Sequence, residues 1–572
     1  MRGWKAGSGG GVINAASLSV SDIQTAINAA STGYTVQLPS GTQTYNDGDN
    51  ITCNKAIHIK GAGGGRMEGS SLTTNTIPTS SFPVTMSWTM QSGTIVSQNY
   101  SGNILLAFPV GSTVTACYKA HGIHFVKGTV TSWDGTTLTI SIPDVGHTGG
   151  FGVYSCWAFF YDAATTLIYS NTTTDLFTLT ESAAGHMEIS DLMINKNTLA
   201  TNGKGVFSCT HATNGQAIIF HDMRCTAAFP VDTIHAEYNG IIMYRMYVDV
   251  GFNWTNGRTV DARLINTKNF NADNYGWNLP DTFGAADTNG DINSYIEDSY
   301  FSGCGSITDW DDNARGVLRH SVLDNSGTAT HGADTSSFGM LHTENYNILC
   351  LFDDLLNNNS TPVYDTLNMQ CFFEWRGGTG IITDCQIPNI TSASWGDKPE
   401  IQFQMQQLRR APSAGGGAPF GAWGKNVNAI SWNTANAPGI QYPAPRQCAM
   451  SHPNSGNVTT DVGSFGPVFN SNTSIAATYT APDGAVLTGM SPGNTCYLGN
   501  LSPYYIWNCT GTGNYTNPTP EDQVILGPPD GQGGIPTDYD FASDYLQAGH
   551  DWFNIAKPGY TKFTYPHPMR SN

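Results

Sequence analysis

Short segments with one hydrophobic pattern recur through the middle of the chain. Most contain two or three apolar residues, a polar break, and then one or two more apolar residues. Their starts are separated by roughly 20 to 40 residues, a spacing that is typical of solenoids. We therefore expect each segment to form a strand, a tight corner and a second strand. The segments span residues 187–194, 217–224, 241–248, 262–267, 295–301, 317–323, 344–349 and 380–387.

The start of the chain has a pattern that predicts a cap for such a stack. Residues 21–30 form an amphipathic helical pattern, with Ile23 and Ile27 on one face and Ser21 or Asp22 as the N-cap. A solenoid needs this cover because an open first coil exposes apolar side chains and unpaired strand edges.

Two stretches depart from the coil pattern. One alternates polar and apolar residues and contains Asp134 and Gly135, which predict an antiparallel hairpin. The other begins near residue 400 and is rich in Pro, Gly and Asn. A β-propeller is the rival fold, but its blades repeat about every 40 residues with more regularity. The predicted units are a cap with the first coils (1–84), an inserted antiparallel β module (85–165), a parallel β-helix (166–400) and an irregular region that packs on it (401–572).

Composition narrows the classes of partner. Lys and Arg number 25 against 44 Asp and Glu, which gives a formal charge of −19, so we expect no nucleic-acid partner. No apolar run reaches the roughly 20 residues that span a bilayer. The first residues lack an apolar signal core, which fits a removed leader, a cytoplasmic protein or release by lysis. We expect an extracellular or virion-associated location.

Neither cysteines nor acidic turns define a metal centre in the sequence. The 12 cysteines include no CxxC pair, and Cys209 with Cys225 or Cys371 with Cys385 either form disulfides or remain free. Residues 287–291 resemble part of a calcium loop without its bidentate acid. We therefore predict no cofactor and no metal site, with Ca²⁺ as the one ion that the carboxylates suggest.

Several motifs resemble a known superfamily. Residues 33–41 and 57–63 resemble the start of pectate-lyase-like right-handed parallel β-helix proteins, and residues 295–301 and 317–321 resemble uncharacterised environmental members. Residues 127–133 are similar to a small β module of phage tail proteins. The resemblance implies an all-β solenoid, and such solenoids include lyases, hydrolases, adhesins and tailspikes. The asparagine ladder of these stacks is replaced by Ser299, Ser321, Asn347 and Cys385.

The densest group of polar and charged residues lies within residues 309–376. Residues one coil apart are neighbours at about 4.8 Å in a parallel stack, so Arg319 should lie between Glu297 and Glu344. A lyase would use His331 or Arg319 as its base. A hydrolase would pair two carboxylates about 5–9.5 Å apart. The catalytic candidates are Asp311, Asp312, His331, Glu344, Arg319 and Arg376, and the sugar-binding candidates are Trp310, Trp375, Arg315 and Glu374.

These observations predict a tailspike-like, carbohydrate-directed protein that binds a surface polysaccharide and leave open whether it also depolymerises it. One alternative is a secreted bacterial polysaccharide lyase or glycoside hydrolase. Another is a non-catalytic adhesin or structural filament protein that makes its contacts through strand edges and aromatic patches. Independently of the class, the Arg and carboxylate groups of 309–376 can simply pair with one another on adjacent coils. A tailspike would be a homotrimer. Residues 565–568, with two prolines, predict a rigid docking segment.

Overall fold

The computed structural model describes most residues of the ranges 10–90, 108–196, 205–249, 265–268, 293–330, 340–344, 373–387, 403–408, 504–511, 521–525 and 552–570, together with four short strands in 468–497. Strands dominate these residues, so the prediction of an all-β protein is confirmed. No helix among the described residues is long and apolar enough to cross a bilayer.

One sheet of 17 strands runs through most of the described chain, and its strands pair in parallel. We call it the first parallel sheet. Its strands are Val12–Asn14, Thr35–Gln37, Gly41–Tyr45, His58–Lys60, Thr165–Tyr169, Met187–Ser190, Met193–Lys196, Ile218–Ala227, Ile241–Asp249, Ser294–Glu297, Tyr300–Ser302, Arg315–Arg319, Val322–Asp324, Met340–Glu344, Gly380–Thr383, Tyr504–Trp507 and Trp552–Phe553.

A second parallel sheet contains ten strands that alternate along the chain with those of the first. Its strands are Ile51–Cys53, Phe177–Thr180, Phe207–Thr210, Ile234–Ala236, Ile265–Lys268, Thr308–Asp311, Thr328–Thr330, Phe373–Trp375, Phe403–Leu408 and Glu521–Ile525. Each strand pairs with the strand of the next coil, which is the stacking that the recurrent segments predict.

In seven described coils, from Met187–Ser190 onward, a corner is made by a single residue in the left-handed conformation. The chain enters the corner from one strand of the first sheet and leaves it in the next strand. Aspartate and asparagine tolerate positive φ better than other non-glycine residues, and they account for most of these corners. The corner residues are Asp191, Asp222, Arg245, Asp298, His320, Asp384 and Asn508, with φ between 46° and 58°.

The interior is built from columns of like residues. One column of the first sheet is apolar except at Thr343, and every member whose side chain is described is buried to 1% exposure or less, apart from the partly exposed Ile13. Stacking branched and aromatic residues in register keeps each coil in contact with the next. The column consists of Ile13, Val36, Ile59, Ile189, Phe220, Met243, Ile296, Leu318, Thr343, Ile382 and Ile506.

Small polar residues line the inner side of the corner, where the sequence places a replacement for the asparagine ladder. The Ser299 hydroxyl accepts a bond from the Met246 amide (3.1 Å) and donates to the Glu297 carbonyl (2.8 Å). Ser321 repeats this arrangement on the next coil, and Cys385 lies 3.3 Å from the Thr383 carbonyl. Asn347 lies outside the described residues.

The N-terminal helix spans Val20–Ala29, and its N-cap is Ser19 rather than Ser21 or Asp22. The Ser19 hydroxyl accepts a bond from the Asp22 amide at 3.2 Å. Ile23 and Ile27 are buried, as the amphipathic pattern predicts.

An antiparallel module interrupts the stack after the strand His58–Lys60. The expected hairpin turns at Gly135, whose φ is 92°. Seven strands form its main sheet, and a further pair joins Asn75–Ile77 to Gly152–Tyr154. The seven are Met67–Ser71, Val84–Thr89, Thr113–Tyr118, Phe125–Trp133, Thr137–Ile142, His147–Thr148 and Trp157–Phe160.

Three two-stranded sheets complete the described strands. Gln386–Ile387 pairs in parallel with Thr510–Gly511. Val468–Phe469 pairs with Cys496–Tyr497, and Tyr479–Thr480 with Val486–Leu487, both antiparallel.

The cysteines whose side chains are described form no disulfide. Cys209 lies in the second sheet and Cys225 in the first, and both are buried thiols, so the disulfide suggested for this pair is not formed. Cys385 is also a buried thiol, and its suggested partner Cys371 lies outside the described residues.

Gly316 provides a test of the interior packing, because a Cβ at this position would lie 2.1 Å from the Trp310 indole. We expect Gly316→Ala to lower the free energy of unfolding by about 1–3 kcal/mol through overpacking. Urea denaturation of the wild type, Gly316→Ala, Trp310→Leu and the double variant measures the coupling. Additive effects of the two substitutions would contradict the contact.

Candidate functional site

One column of the second parallel sheet consists of polar residues at nine of its ten register positions. Backbone pairing places the residues of successive strands side by side, at about 4.8 Å per rung. We call this set the polar column. In order along the sheet, it contains Thr52, Thr178, Ser208, His235, Asn266, Asp309, Ala329, Glu374, Gln404 and Glu521.

The polar column belongs to the outer face of the second sheet. Of the three column members whose side chains are described, Thr52 is exposed, Thr178 is half-buried and Ser208 is buried. The flanking residues Ile51, Phe177 and Leu179 are fully buried. This alternation follows from the two-residue period of a strand. The first half of the column carries neutral or weakly basic residue types, and carboxylate residue types occur in the second half.

Four of the ten residues predicted from the sequence as site residues belong to the second sheet. Glu374 is a member of the polar column, and Asp311 lies two positions beyond Asp309 on its strand. Trp310 and Trp375 occupy the neighbouring column, which is joined through Thr330. Trp310 is fully buried and packs on Gly316, which argues against its predicted role of stacking on a sugar from solvent. Asp312, His331 and Arg376 lie outside the described residues.

Arg315, Arg319 and Glu344 belong to the first sheet. Arg315 and Arg319 begin and end one strand, and Glu344 ends the strand that pairs with it. The pairing Glu297, Arg319, Glu344 on three successive strands is the neighbour relationship that coil spacing predicts. Arg319 is fully buried, and its guanidinium donates to Glu297 Oε1 at 2.9 and 2.6 Å. Such a buried guanidinium balances a carboxylate, so this contact favours a structural role for Arg319 over that of a base.

A C-terminal segment, Trp552 to Arg570, covers this part of the first sheet. Tyr560 and Met569 pack on an apolar cluster of the outer face, which includes Ile242, Tyr295 and Val317. We call this segment the C-terminal clasp. Residues 565–568, for which a docking role is expected, belong to it and contact the sheet.

Polar bonds fix the clasp to the stack. Arg570 lies 2.7 Å from Glu297 Oε2 and 2.5 Å from Asp298 Oδ2, and the Tyr565 hydroxyl donates to Asp298 Oδ1 at 2.5 Å. The Arg319 guanidinium donates to the Thr564 carbonyl at 2.7 Å. Glu297 is therefore a fully buried carboxylate held by one arginine of the sheet and one of the clasp.

The buried charges of this cluster shift neighbouring acid–base equilibria. Burial alone would raise the pKa of Glu297, but Arg319 and Arg570 outweigh it and lower this pKa to about 2. Burial, aided by the positive charge of Arg319, lowers the pKa of His320 to about 3. Glu297 is therefore ionised and His320 neutral at neutral pH.

A second buried cluster lies farther towards the N-terminus on the same outer face. His221 Nε2 is 2.6 Å from Glu188 Oε1, and its Nδ1 is 2.7 Å from Asp222 Oδ2. Asp222 accepts two bonds from Arg245, at 2.8 and 2.6 Å. The His58 ring lies 5.9 Å from that of His221. We call His58, Glu188 and His221 the histidine–glutamate cluster.

The pKa values of the two histidines in this cluster are shifted in opposite directions. Burial lowers the pKa of His58 to about 4. Burial also disfavours the charged form of His221, but its bonds to Asp222 and Glu188 outweigh that effect and raise its pKa. At Glu188, the hydrogen bond to His221 and the charges of His58 and His221 outweigh burial and lower the pKa.

The two buried clusters are connected by contacts through aromatic rings. The rings of His221 and Tyr244 stack at 4.7 Å, and the Arg570 guanidinium lies 4.5 Å from the centre of the Tyr244 ring. His58, Glu188, His221 and Arg570 were not predicted as site residues from the sequence. Glu188 and His221 occur in neighbouring recurrent segments, so the coil spacing could have predicted that they lie close together. Arg570 lies in an irregular region, where no such spacing exists.

The solved structures to which this chain is similar include three phage tailspikes, all at low similarity. No family model and no curated protein matches the chain. The Gp54 tailspike of Acinetobacter baumannii bacteriophage AP22, in complex with A. baumannii capsular saccharide, is 10% identical over 68% of this chain and 64% of its own, with a TM-score of 0.15. The Pseudomonas phage phi297 tailspike gp61 is 10% identical over 83% and 90%, with a TM-score of 0.15. The tailspike gp49 of Pseudomonas phage LKA1 is 12% identical over 68% and 67%, with a TM-score of 0.16. These values carry no conclusion about this chain.

The clasp offers a matched pair of cation deletions. Arg570→Ala leaves Glu297 short of a partner inside the protein, and we expect it to cost about 3–5 kcal/mol. Lys562→Ala removes a pair with Asp384 whose lysine side chain is 42% exposed, and we expect a cost below about 1 kcal/mol. Urea denaturation measures both, and equal effects of the two variants would contradict the clasp arrangement.

His320 provides a test of pH dependence. Its pKa is lowered in the folded protein, so below its unfolded value the unfolded chain binds a proton that the folded chain does not. The free energy of unfolding should therefore fall as the pH falls from about 6.5 towards 4.5, by up to about 1.4 kcal/mol per pH unit. His320→Asn cannot titrate and tolerates the left-handed corner. We expect a shallower pH dependence for this variant, and an unchanged slope would refute the assignment.

Proposed function

We propose that this chain is a carbohydrate-directed, tailspike-like protein that binds a surface polysaccharide along the polar column of its second parallel sheet. The observation that carries the proposal is the column itself, which places a polar residue at nine of ten consecutive register positions. The proposal replaces the site expected within residues 309–376 by a longer surface that retains Glu374.

The chemistry of the column suits a hydroxyl-rich polymer. Thr, Ser, Asn and Gln side chains can both donate and accept hydrogen bonds, as sugar hydroxyls can. Ten rungs at about 4.8 Å give a surface about 43 Å long, which favours a linear ligand over a small molecule. The formal charge of −19 disfavours strongly anionic polymers, and a neutral glycan has no such penalty.

The two faces of the stack differ in availability. The outer face of the first sheet is covered over the cluster of Ile242, Tyr295 and Val317 by the clasp. In the second sheet, Thr52 is exposed and Thr178 and Thr180 are half-buried, whereas Ser208 is buried. This difference supports the second sheet as the binding surface.

The proposal includes a fold, an assembly and a location. The alternation of strands between two parallel sheets supports a right-handed parallel β-helix of the pectate-lyase-like type. A tailspike of this kind would be a homotrimer on a virion or outside the cell. Sedimentation of the full chain distinguishes a trimer from a monomer.

Two carboxylate residues of the column give the proposed cleavage chemistry. Asp309 and Glu374 are two rungs apart, about 10 Å along the column. Inverting glycosidases place their carboxyl groups about 6.5–9.5 Å apart, which leaves room for a water molecule. One residue would protonate the leaving oxygen, and the other would remove a proton from the water that attacks the anomeric carbon. This pairing favours hydrolysis over the lyase chemistry that we considered for His331 and Arg319.

Glycan binding is tested on an array of neutral and uronate-containing polysaccharides. Thr178→Tyr should obstruct the polar column and weaken binding at least about tenfold, equivalent to about 1.4 kcal/mol. Thr85→Tyr is the matched control, because Thr85 is exposed on the antiparallel module. Equal affinity of both variants and the wild type for every bound glycan, or no binding to any glycan, would refute the surface.

The same glycans separate an enzyme from a binder. New reducing ends without unsaturated products indicate hydrolysis, and Asp309→Asn and Glu374→Gln should each abolish them while binding persists. Unsaturated products would indicate a lyase and contradict the proposed carboxylate pair. Binding without either product would indicate an adhesin-like protein.

A further inference from the structure

The histidine–glutamate cluster joins three strands that are consecutive in the first parallel sheet. His58 pairs with Glu188 in the backbone register, and the strand of Glu188 pairs with that of His221. All three residues are buried, with 8%, 4% and 5% of their surface exposed. One ligand atom from each lies within 4.8 Å of the other two. Imidazole nitrogen and carboxylate oxygen are the donor atoms of zinc sites with two histidines and one acid.

Hydrogen bonds around His221 direct one ring nitrogen into the cluster. Asp222 is held by Arg245 as an acceptor, so His221 Nδ1 carries the proton of their 2.7 Å bond. His221 Nε2 consequently faces Glu188 Oε1 at 2.6 Å. A carboxylate that binds the distal N–H of a ligating histidine is the usual support of a metal-bound imidazole.

The hydrogen bonds of Ser190 determine which nitrogen of the His58 ring carries the proton. The Ser190 hydroxyl donates its hydrogen to Asp191 Oδ2 at 2.7 Å. It must therefore accept the 2.7 Å bond from His58 Nε2, which places the proton of the neutral ring on Nε2. His58 Nδ1 then presents its lone pair towards Glu188 Oε2, 3.9 Å away. Two electron-rich atoms face each other here, and an ion between them would turn this repulsion into attraction.

We propose that His58 Nδ1, His221 Nε2 and the Glu188 carboxylate bind one divalent transition-metal ion of the Zn²⁺ type. Ligand atoms of a tetrahedral zinc site are about 3.4 Å apart. The contact between Glu188 and His221 must lengthen to reach this separation, and that between Glu188 and His58 must shorten. Without the ion, a proton shared by Glu188 and His221 occupies the same place.

The position of the site indicates what the ion does. His58 precedes the antiparallel module and Glu188 follows it, so the two residues lie on opposite sides of an insertion in the chain. An ion bound to both, and to His221 on the next coil, would fasten the coils that flank the insertion. A ligand that binds only the folded chain stabilises it by mass action, so the proposed role is structural.

Metal binding is tested on the full chain after dialysis against a chelator. We expect one Zn²⁺ or Co²⁺ per chain, visible absorption from bound Co²⁺, and a rise in thermal midpoint on adding Zn²⁺. His58→Asn should abolish all three responses. Asp222→Asn keeps the left-handed corner but weakens the support of His221, and affinity should fall about 10–100-fold.

The matched control is His320→Asn, which replaces a buried histidine beside the same sheet but outside the cluster. It should bind Co²⁺ as the wild type does. Far-UV circular dichroism establishes that each variant is folded. A metal-free wild-type chain that neither takes up Co²⁺ nor gains stability with Zn²⁺ would overturn the proposal in favour of a proton alone. Wild-type affinity in His58→Asn would overturn the assigned ligands.

Discussion

Register between parallel strands is the constraint on which the rest of the structure depends. Because each residue lies beside its counterpart on the next coil, a side chain acquires its neighbours from residues in other coils and not from those adjacent in sequence. An apolar column becomes core, whereas a charged residue in a covered column needs an opposite charge one rung away. Glu297 and Arg319 satisfy this requirement on neighbouring strands, as do Glu188 and His221.

The same constraint explains the difference between the two faces. The outer columns of the first sheet mix apolar residues such as Ile242, which are stabilised by burial, with carboxylates such as Glu297, which need an opposite charge once they are buried. The clasp resolves both problems, since Tyr560 and Met569 supply apolar contacts and Arg570 supplies the missing charge. The polar column of the second sheet has no comparable apolar content and needs no such cover.

The sequence predicted the local pattern of a coil better than its remote contacts. Six of the eight predicted strand–corner–strand segments contain a described corner, and the neighbours of Arg319 follow from the spacing. The segment 262–267 instead provides one strand of the second sheet, and residues 345–349 lie outside the described residues. The burial of Trp310 was missed because a shift of one residue reverses the face of a strand. His58 and Glu188 were not paired because an inserted module separates them in the chain. Arg570 gave no periodic signal, since its position depends on the tertiary contacts of an irregular segment.

The one-residue corner also determines where the architecture can grow. Seven described corners between Asp191 and Asn508 consist of a single left-handed residue. Connections between the two sheets vary instead, from residues 303–307 in one coil to 250–264 in another. The large module after Lys60 is inserted at the corner itself, because its flanking strands His58–Lys60 and Thr165–Tyr169 pair with Met187–Ser190 and Met193–Lys196, the two strands that Asp191 joins in the next coil. A corner can therefore accept a whole domain, and the connections can accept longer loops, while the spine of the stack stays in register.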